Sequence, residues 1–179
     1  MDRDQIDNML ISKNLAYKEK YAENYIGHYI EQYRIYLHLF DRTSDRRHKS
    51  NEFFLGVNTA IMGIMGYIEA KNIEHTPVIF FLAPIVGVAI CFCWYRLIMS
   101  VSQLNRAKFK VIHNLEKNLP LNLFETEWHL LGNGKDSSKY YPISHTERFI
   151  PLIFIFLYIV IFLANFTTLG SLFTNLLAK

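Results

Sequence analysis

Three side chains capable of acid–base or metal chemistry stand at alternate positions in one polar stretch: Glu125, Glu127 and His129. On a β-strand, alternate residues point to the same face, so this spacing would bring two carboxylates and an imidazole together. Such a group could transfer protons in a reaction on lipid, or hold a metal ion. A solvated turn is the competing interpretation, and we predict neither a metal site nor a cofactor.

Two further motifs fall short of a chemical site. The run Gly132 to Lys135 is similar to the end of a phosphate-binding loop, but it lacks the G-x-x-x-x-G-K-[ST] spacing and a preceding strand. It predicts a turn instead. Cys91 and Cys93 point to different faces of a helix and have no C-x-x-C or histidine partner, so we interpret them as small hydrophobic residues.

The elements that would position these residues are apolar helices. Residues 53–70, 77–99 and 149–169 are each close to the roughly 20 residues that a helix needs to cross a bilayer. We therefore predict an all-α integral membrane protein with three spans. Little of the 179-residue chain remains for a soluble enzyme domain, and a net charge of +3 gives no broad basic surface for nucleic acid.

Basic residues predict the orientation. Lysine and arginine are frequent in residues 1–52 and 100–148 and scarce in the 71–76 loop. Because loops rich in these residues stay in the cytoplasm, we predict a cytoplasmic N-terminus, an outer 71–76 loop and an inner 100–148 segment. Residues 170–179 then form a short outer tail, with an interfacial helix or a longer tilted third span as alternatives.

An aromatic stripe precedes the first span. Its members recur every three or four residues, which is the spacing of one helix face: Tyr21, Tyr25, Tyr29, Tyr33, Tyr36 and Phe40. This face must dock on the helix of residues 104–115, on another copy or on a second protein, and a ligand cage is a further alternative. Residues 41–50 contain no glycine or proline, so the helix can continue into the membrane.

The other helix boundaries also carry local signals. Thr76 before Pro77 predicts the start of the second span, and its apolar face continues until Leu119 and Pro120. The first and second helices would thus form a cytoplasmic stalk or crown. Ser144 and Glu147 fit a capping box at the start of the third span, and residues 1–20 predict a further short helix.

Small residues line one face of each of the first two spans. They permit close helix approach in lipid, and we predict that they form subunit contacts, with packing inside one subunit as the alternative. These residues are Gly56, Ala60, Gly63 and Gly66 in the first span, and Ala83 and Gly87 in the second.

Polar residues near the first span suggest two kinds of contact. Asn51 and Asn58 share one helix face, and we predict hydrogen bonds across a helix interface, with a pore lining as the alternative. A basic cluster precedes them and could bind an anionic lipid such as cardiolipin, although the positive-inside rule already explains it. The cluster comprises Arg42, Arg46, Arg47 and Lys49.

Several segments carry a family resemblance. They are SDRRHKSNEFFLGVNT (44–59), LNRAKFKVIHNLEKNLP (104–120), the Glu127-Trp128 pair and TERFIP (146–151). In order and spacing the chain resembles the RipA-type octameric inner-membrane proteins of bacteria. The resemblance implies a homo-oligomer, eightfold in number, with no established enzyme activity and a role in growth inside host cells.

We therefore predict a non-enzymatic, homo-oligomeric ring in the bacterial inner membrane. Its cytoplasmic crown would scaffold or regulate an envelope or stress-adaptation process, with a cytoplasmic protein as a possible partner besides lipid and other copies. A gated pore or ligand-triggered membrane effector is the main alternative. A lipid-modifying enzyme that uses Glu125, Glu127 or His129 is the third hypothesis.

Overall fold

The computed structural model describes residue 21 and residues 23–71, 77–135, 138–141 and 143–177 of the protein. Side-chain positions are described for the same residues apart from 77, 78, 143–145 and 167–177. The predicted short helix in residues 1–20 and the outer-loop residues 72–76 lie outside these ranges. Within them all regular structure is helical and no strand occurs, which confirms the all-α prediction.

The first helix, α1, runs without interruption through Tyr25–Ala70, a length of 46 residues. The aromatic stripe and the first predicted span therefore belong to one helix, as the lack of glycine and proline in residues 41–50 predicted. Every residue of that connecting segment can keep helical backbone angles, so nothing local ends the helix.

The second helix, α2, occupies Pro77–Glu116 and is 40 residues long. It begins at Pro77, as predicted, because proline suits the first helical position, where its missing N–H group has no partner to lose. It ends at Glu116, before the predicted stop at Leu119 and Pro120. Pro84 lies inside the helix and is buried.

A short helix, α3, follows at Leu123–Leu130, and a 3₁₀ turn at Gly132–Gly134 confirms the predicted turn. All three turn residues have positive φ angles, 69° at Gly132, 56° at Asn133 and 67° at Gly134. A Cβ added at Gly134 would lie 2.8 Å from Cη2 of Trp128. Glycine at this position thus permits both the backbone conformation and the close approach of the indole.

The last helix, α4, extends through Ile143–Leu177. The predicted cap residue Ser144 lies one residue inside it. Its backbone continues as one helix through most of the predicted 170–179 tail, without a break at the end of the predicted third span. Three of the described helices are long and apolar enough to cross a membrane: α1, Ile79–Glu116 of α2 and Thr146–Phe166 of α4.

The chain forms two compact units, and α1 and α2 contribute to both. Unit 1 comprises Met1–Arg46 and Val101–Pro142, and unit 2 comprises Arg47–Ser100 and Ile143–Lys179. Unit 2 contains the apolar parts of the three long helices. Its buried side chains include Met65, Phe80, Cys91, Trp94, Ile98 and Tyr158.

Candidate functional site

A hydrogen-bonded cluster centred on Asn58 lies in the interior of unit 2. The Asn58 Oδ1 atom accepts hydrogen bonds from the Cys91 thiol and from the Tyr158 hydroxyl, each at 3.1 Å. Its amide nitrogen donates to the Phe54 carbonyl at 2.7 Å. Asn58, Cys91 and Tyr158 are each 0% exposed. The predicted bonding across helices is therefore confirmed, and Asn58 cannot line a pore because its side chain is enclosed by its own protomer.

Asn51 makes a second polar contact between α1 and α2. Its Oδ1 atom accepts a hydrogen bond from the Trp94 indole N–H at 2.9 Å. The Trp94 ring also stacks on Phe54, with centroids 5.8 Å apart and planes 10° from parallel. Because an unpaired indole N–H is costly inside a membrane, Asn51 stabilises this pair of helices. This contact, too, confirms the predicted bonding across a helix interface.

The two stripes of small residues have different surroundings. A Cβ added at Gly87 would lie 2.6 Å from Cε1 of Tyr158, so the second stripe admits the α4 tyrosine within one protomer. This corrects the prediction of a subunit contact at Gly87, while Ala83 is half-buried. In the first stripe, by contrast, a Cβ at Gly56, Gly63 or Gly66 would meet nothing within 4 Å.

One member of the predicted lipid-binding cluster has a protein partner instead. Arg47 Nε lies 3.7 Å from Glu147 Oε2, and the two side chains are only 13% and 11% exposed. Arg47 is thus largely enclosed beside a carboxylate of its own chain, which leaves little of its side chain for the predicted lipid contact. Arg42, Arg46 and Lys49 are exposed.

In unit 1 the aromatic stripe of α1 docks on α2, which was one of its predicted partners. The Tyr29 hydroxyl donates a hydrogen bond to the Leu115 carbonyl, and Tyr33 donates to Glu116 Oε1 at 3.2 Å. Phe40 packs against Phe109 with ring centroids 5.7 Å apart. Tyr29, Tyr33 and Phe40 are thus engaged with α2, which leaves fewer rings of the stripe for the alternative of a ligand cage.

The N-terminal end of the stripe is more exposed than the rest. Tyr36 is half-buried, whereas Tyr25 is 42% exposed and has its ring 6.3 Å from that of Tyr29. Further along α1, Lys108 of α2 donates hydrogen bonds to the Leu39 carbonyl and to the Thr43 hydroxyl. These contacts hold α1 against α2 on one face of each helix.

Glu116 is the most deeply buried charged residue described, at 1% exposure. Both of its carboxylate oxygens accept the Phe124 N–H at 3.1 Å, and Oε2 also accepts the Glu125 N–H at 3.2 Å. Asn122, at the N-cap position of α3, makes no side-chain capping bond. Glu116 therefore caps α3 from the end of the preceding helix, and its negative charge interacts favourably with the positive end of the α3 dipole.

Sequence reasoning from chemistry overlooked Glu116, although a signal was present. A carboxylate in the last turn of a helix lies at the negative end of the helix dipole, which is unfavourable. Such a placement indicates that the carboxylate serves another element nearby. The packing role of Trp128 was also missed. Its ring lies against those of Phe109 and Tyr140, with a centroid distance of 6.1 Å in both cases.

The group proposed for acid–base chemistry does not form as predicted. Glu125, Glu127 and His129 lie on α3 rather than on a strand. On a helix, Glu125 and His129 share a face because they are four residues apart, but Glu127 points in a different direction, so the three side chains do not come together. Among the described residues, no three histidine, cysteine, aspartate or glutamate side chains are grouped closely enough to hold a metal ion.

Tyr33 makes unit 1 sensitive to alkaline pH. Burial, followed by the negative charge of Glu116 and the hydrogen bond to it, raises the pKa of Tyr33 from 10.0 to about 12. Burial also raises the pKa of Tyr29 and of Tyr36. Because the folded state favours the neutral phenol, this stabilisation is complete below pH 10 and is lost as the pH rises to about 12.

We expect Tyr33→Phe to be less stable than the wild type below pH 10 and to approach it above that value. Denaturant unfolding of detergent-solubilised protein across this range measures the difference. The matched control is Tyr25→Phe, which changes an exposed tyrosine and should leave the alkaline limb unaltered. A Tyr33→Phe curve parallel to the wild type at every pH would contradict the assignment.

Comparison with known proteins adds one finding. Residues 30–167, more than half of the chain, match the model of a family described as the octameric membrane protein family (8xMP). The matched range includes the Asn58 cluster of unit 2 and the Tyr33–Glu116 contact of unit 1. The chain matches no curated protein and no solved structure.

Proposed function

The chain belongs to the octameric membrane protein family (8xMP), and we propose that its octamer is a non-enzymatic scaffold in the bacterial inner membrane. The N-terminus and unit 1 face the cytoplasm in this proposal, as the distribution of basic residues predicts. Unit 1 docks proteins of an envelope or stress-adaptation process. The resemblance to RipA-type proteins adds a role in growth inside host cells.

The hydrogen bonding of the buried Glu116 and of Lys108 in unit 1 carries this proposal. The Glu116 carboxylate accepts hydrogen bonds from two backbone amides and a tyrosine, and Lys108 donates to a backbone carbonyl and a hydroxyl. Groups engaged in this way hold helices in place and are poorly suited to exchange protons with a substrate. A rigid helical surface is the property that a scaffold requires.

The open stripe of α1 supports a subunit contact in unit 2. Asn58 and Met65 are the α1 residues buried inside the protomer, and the helix period places Gly56 and Gly63 on the opposite side. Small residues let a neighbouring helix approach closely, which favours association in lipid. We assign Gly56, Ala60, Gly63 and Gly66 to the contact with the next copy.

Anionic lipid is the second partner in the proposal. Arg42, Arg46 and Lys49 are exposed near the start of the apolar part of α1. Basic residues at this depth attract anionic headgroups, with about 1 kcal/mol contributed by each residue near the surface. Arg47 is left out because its side chain is largely enclosed beside Glu147.

Gly63→Leu tests the scaffold and the stripe together. A leucine would fill the space that the neighbouring helix needs, so we expect native mass spectrometry to show complexes smaller than the octamer. Unfolding of the protomer should change little, because a Cβ at Gly63 meets nothing within 4 Å. A deletion strain carrying this variant should not recover its resistance to envelope stress.

Two controls separate the possible outcomes. Gly27→Leu makes the same change at another open α1 position, in unit 1, and should keep both mass and resistance. Alanine at Glu125, Glu127 and His129 together should also keep both. If that triple variant keeps the octamer but loses resistance, an activity of these side chains replaces the scaffold proposal.

A further inference from the structure

Two outward apolar patches occur in unit 1. On α1, Ile35 is 51% and Leu39 is 47% exposed, one helical turn apart. Beyond α2, Leu121 is 66%, Leu123 is 64% and Leu130 is 76% exposed. Charged residues occur throughout α1 and α2 of this unit and keep it out of hydrocarbon, so lipid tails do not cover either patch. We name them the isoleucine patch and the leucine patch.

Each patch lies on the outer side of its helix. The inner side of α1 is defined by Tyr29, Tyr33 and Phe40, which contact α2. The helix period turns Leu39 by roughly 100° and Ile35 by roughly 140° from that side, so the isoleucine patch lies away from the contact with α2. On α3, Phe124 and Trp128 point inward to the Phe109 ring, at centroid distances of 5.9 Å and 6.1 Å. Leu123 and Leu130, seven residues apart, share a different face.

The contacts inside unit 1 place both patches at the same level along the helices. Tyr33 bonds Glu116, which caps the start of α3, and Phe40 contacts Phe109, which contacts Trp128 near the end of α3. Phe109 also contacts Phe124 in the first turn of α3, so the leucine patch lies between the levels of Tyr33 and Phe40. The isoleucine patch lies between the same two residues of α1.

The membrane restricts how eight copies can meet. Identical chains insert in the same orientation, so symmetry can relate them only by rotation about the membrane normal. A closed ring of eight then requires a head-to-tail contact, in which two different surfaces of the chain meet. In a ring whose axis runs along these helices, surfaces at the same level face each other.

We propose that the isoleucine patch of one copy packs against the leucine patch of the next copy around the octamer. Burial of five exposed aliphatic side chains supplies the driving force, since each contributes through the area it removes from water. Because octamer formation follows from family membership, this contact does not depend on the scaffold role.

Cysteine cross-linking tests the contact without disturbing the fold. The background is Cys91→Ser with Cys93→Ala, which keeps a hydrogen-bond donor for Asn58 and removes the exposed thiol. Ile35→Cys and Leu123→Cys are introduced singly and together, and membranes are treated with a short bismaleimide. We expect the double variant to form a ladder of covalent multimers up to eight, and each single variant to stay monomeric on a denaturing gel.

Three results would overturn the proposal. Covalent dimers from either single variant would show a patch meeting itself. A double variant that stays monomeric while its native mass remains octameric would show that the patches do not meet. An equal ladder from the control pair Lys110→Cys and Leu123→Cys, in which the first position is exposed on α2, would show that the leucine patch has no specific contact with the isoleucine patch.

Discussion

Glu116→Ala is expected to lower the free energy of unfolding of unit 1 by about 3 to 5 kcal/mol. The change removes the acceptor of three donors, the amides of Phe124 and Glu125 and the hydroxyl of Tyr33. Each donor left without a partner costs about 1 to 3 kcal/mol, and the three donors together fall toward the low end of that range because their hydrogen bonds are only part-buried. Denaturant unfolding measures the loss, and trypsin should cut earlier at Lys135 and Lys139 once α3 is no longer capped.

Two substitutions make this result specific. Glu116→Gln keeps one acceptor oxygen and should lose less stability than alanine, because part of the cap remains. Glu127→Ala removes an exposed carboxylate of α3 and should stay within about 0.5 kcal/mol of the wild type. Equal stability of Glu116→Ala and Glu127→Ala would show that the buried carboxylate does not hold α3.

Gly87→Ala should disrupt the packing of α2 against α4 in unit 2. The added Cβ would overlap the Tyr158 ring, with even Cε1 only 2.6 Å away, and this side chain is 0% exposed and hydrogen-bonded to Asn58. Because neither the ring nor the helix backbone can move freely, we expect a loss of about 3 kcal/mol or more. Unfolding in mixed micelles with increasing denaturing detergent measures this change.

A double-mutant cycle identifies the cause. In a Tyr158→Leu background the ring is gone, so Gly87→Ala should cost about 1 kcal/mol or less. Gly63→Ala is the matched glycine control and should be neutral for the protomer, since a Cβ there meets nothing within 4 Å. If Gly87→Ala costs the same in both backgrounds, the close approach of Tyr158 is not the reason.

Local features of the chain predicted the helices well. The continuity of α1 follows from a connecting segment without glycine or proline, and the start of α2 follows from Pro77. The predicted end of α2, at Leu119 and Pro120, lies beyond the observed end at Glu116. Helix-breaking residues set the latest point at which a helix can end, but the helix can end before it reaches them. The capping role of Glu116 depends on α3 being folded back beside it.

Partner choice was harder to predict than helix position. The presence of Asn58 in an apolar span indicated a hydrogen bond across helices, but its acceptor atom bonds residues 33 and 100 positions away. The stripes in α1 and α2 both place small residues three or four positions apart, yet of their glycines only Gly87 receives a ring from another helix of the protomer. Spacing along one helix carries no information on which neighbour approaches it.

The sequence by itself determined that three apolar helices cross a membrane and that two of them continue beyond it, because helix length, hydropathy and breaking residues are local properties. It also indicated that Asn51 and Asn58 need polar partners, since hydrocarbon supplies none. Tertiary structure alone decided that Arg47 pairs with Glu147, that Glu116 caps α3 and that the small residues of α1 remain open. These outcomes depend on contacts between residues distant in the chain, which form only when the helices pack.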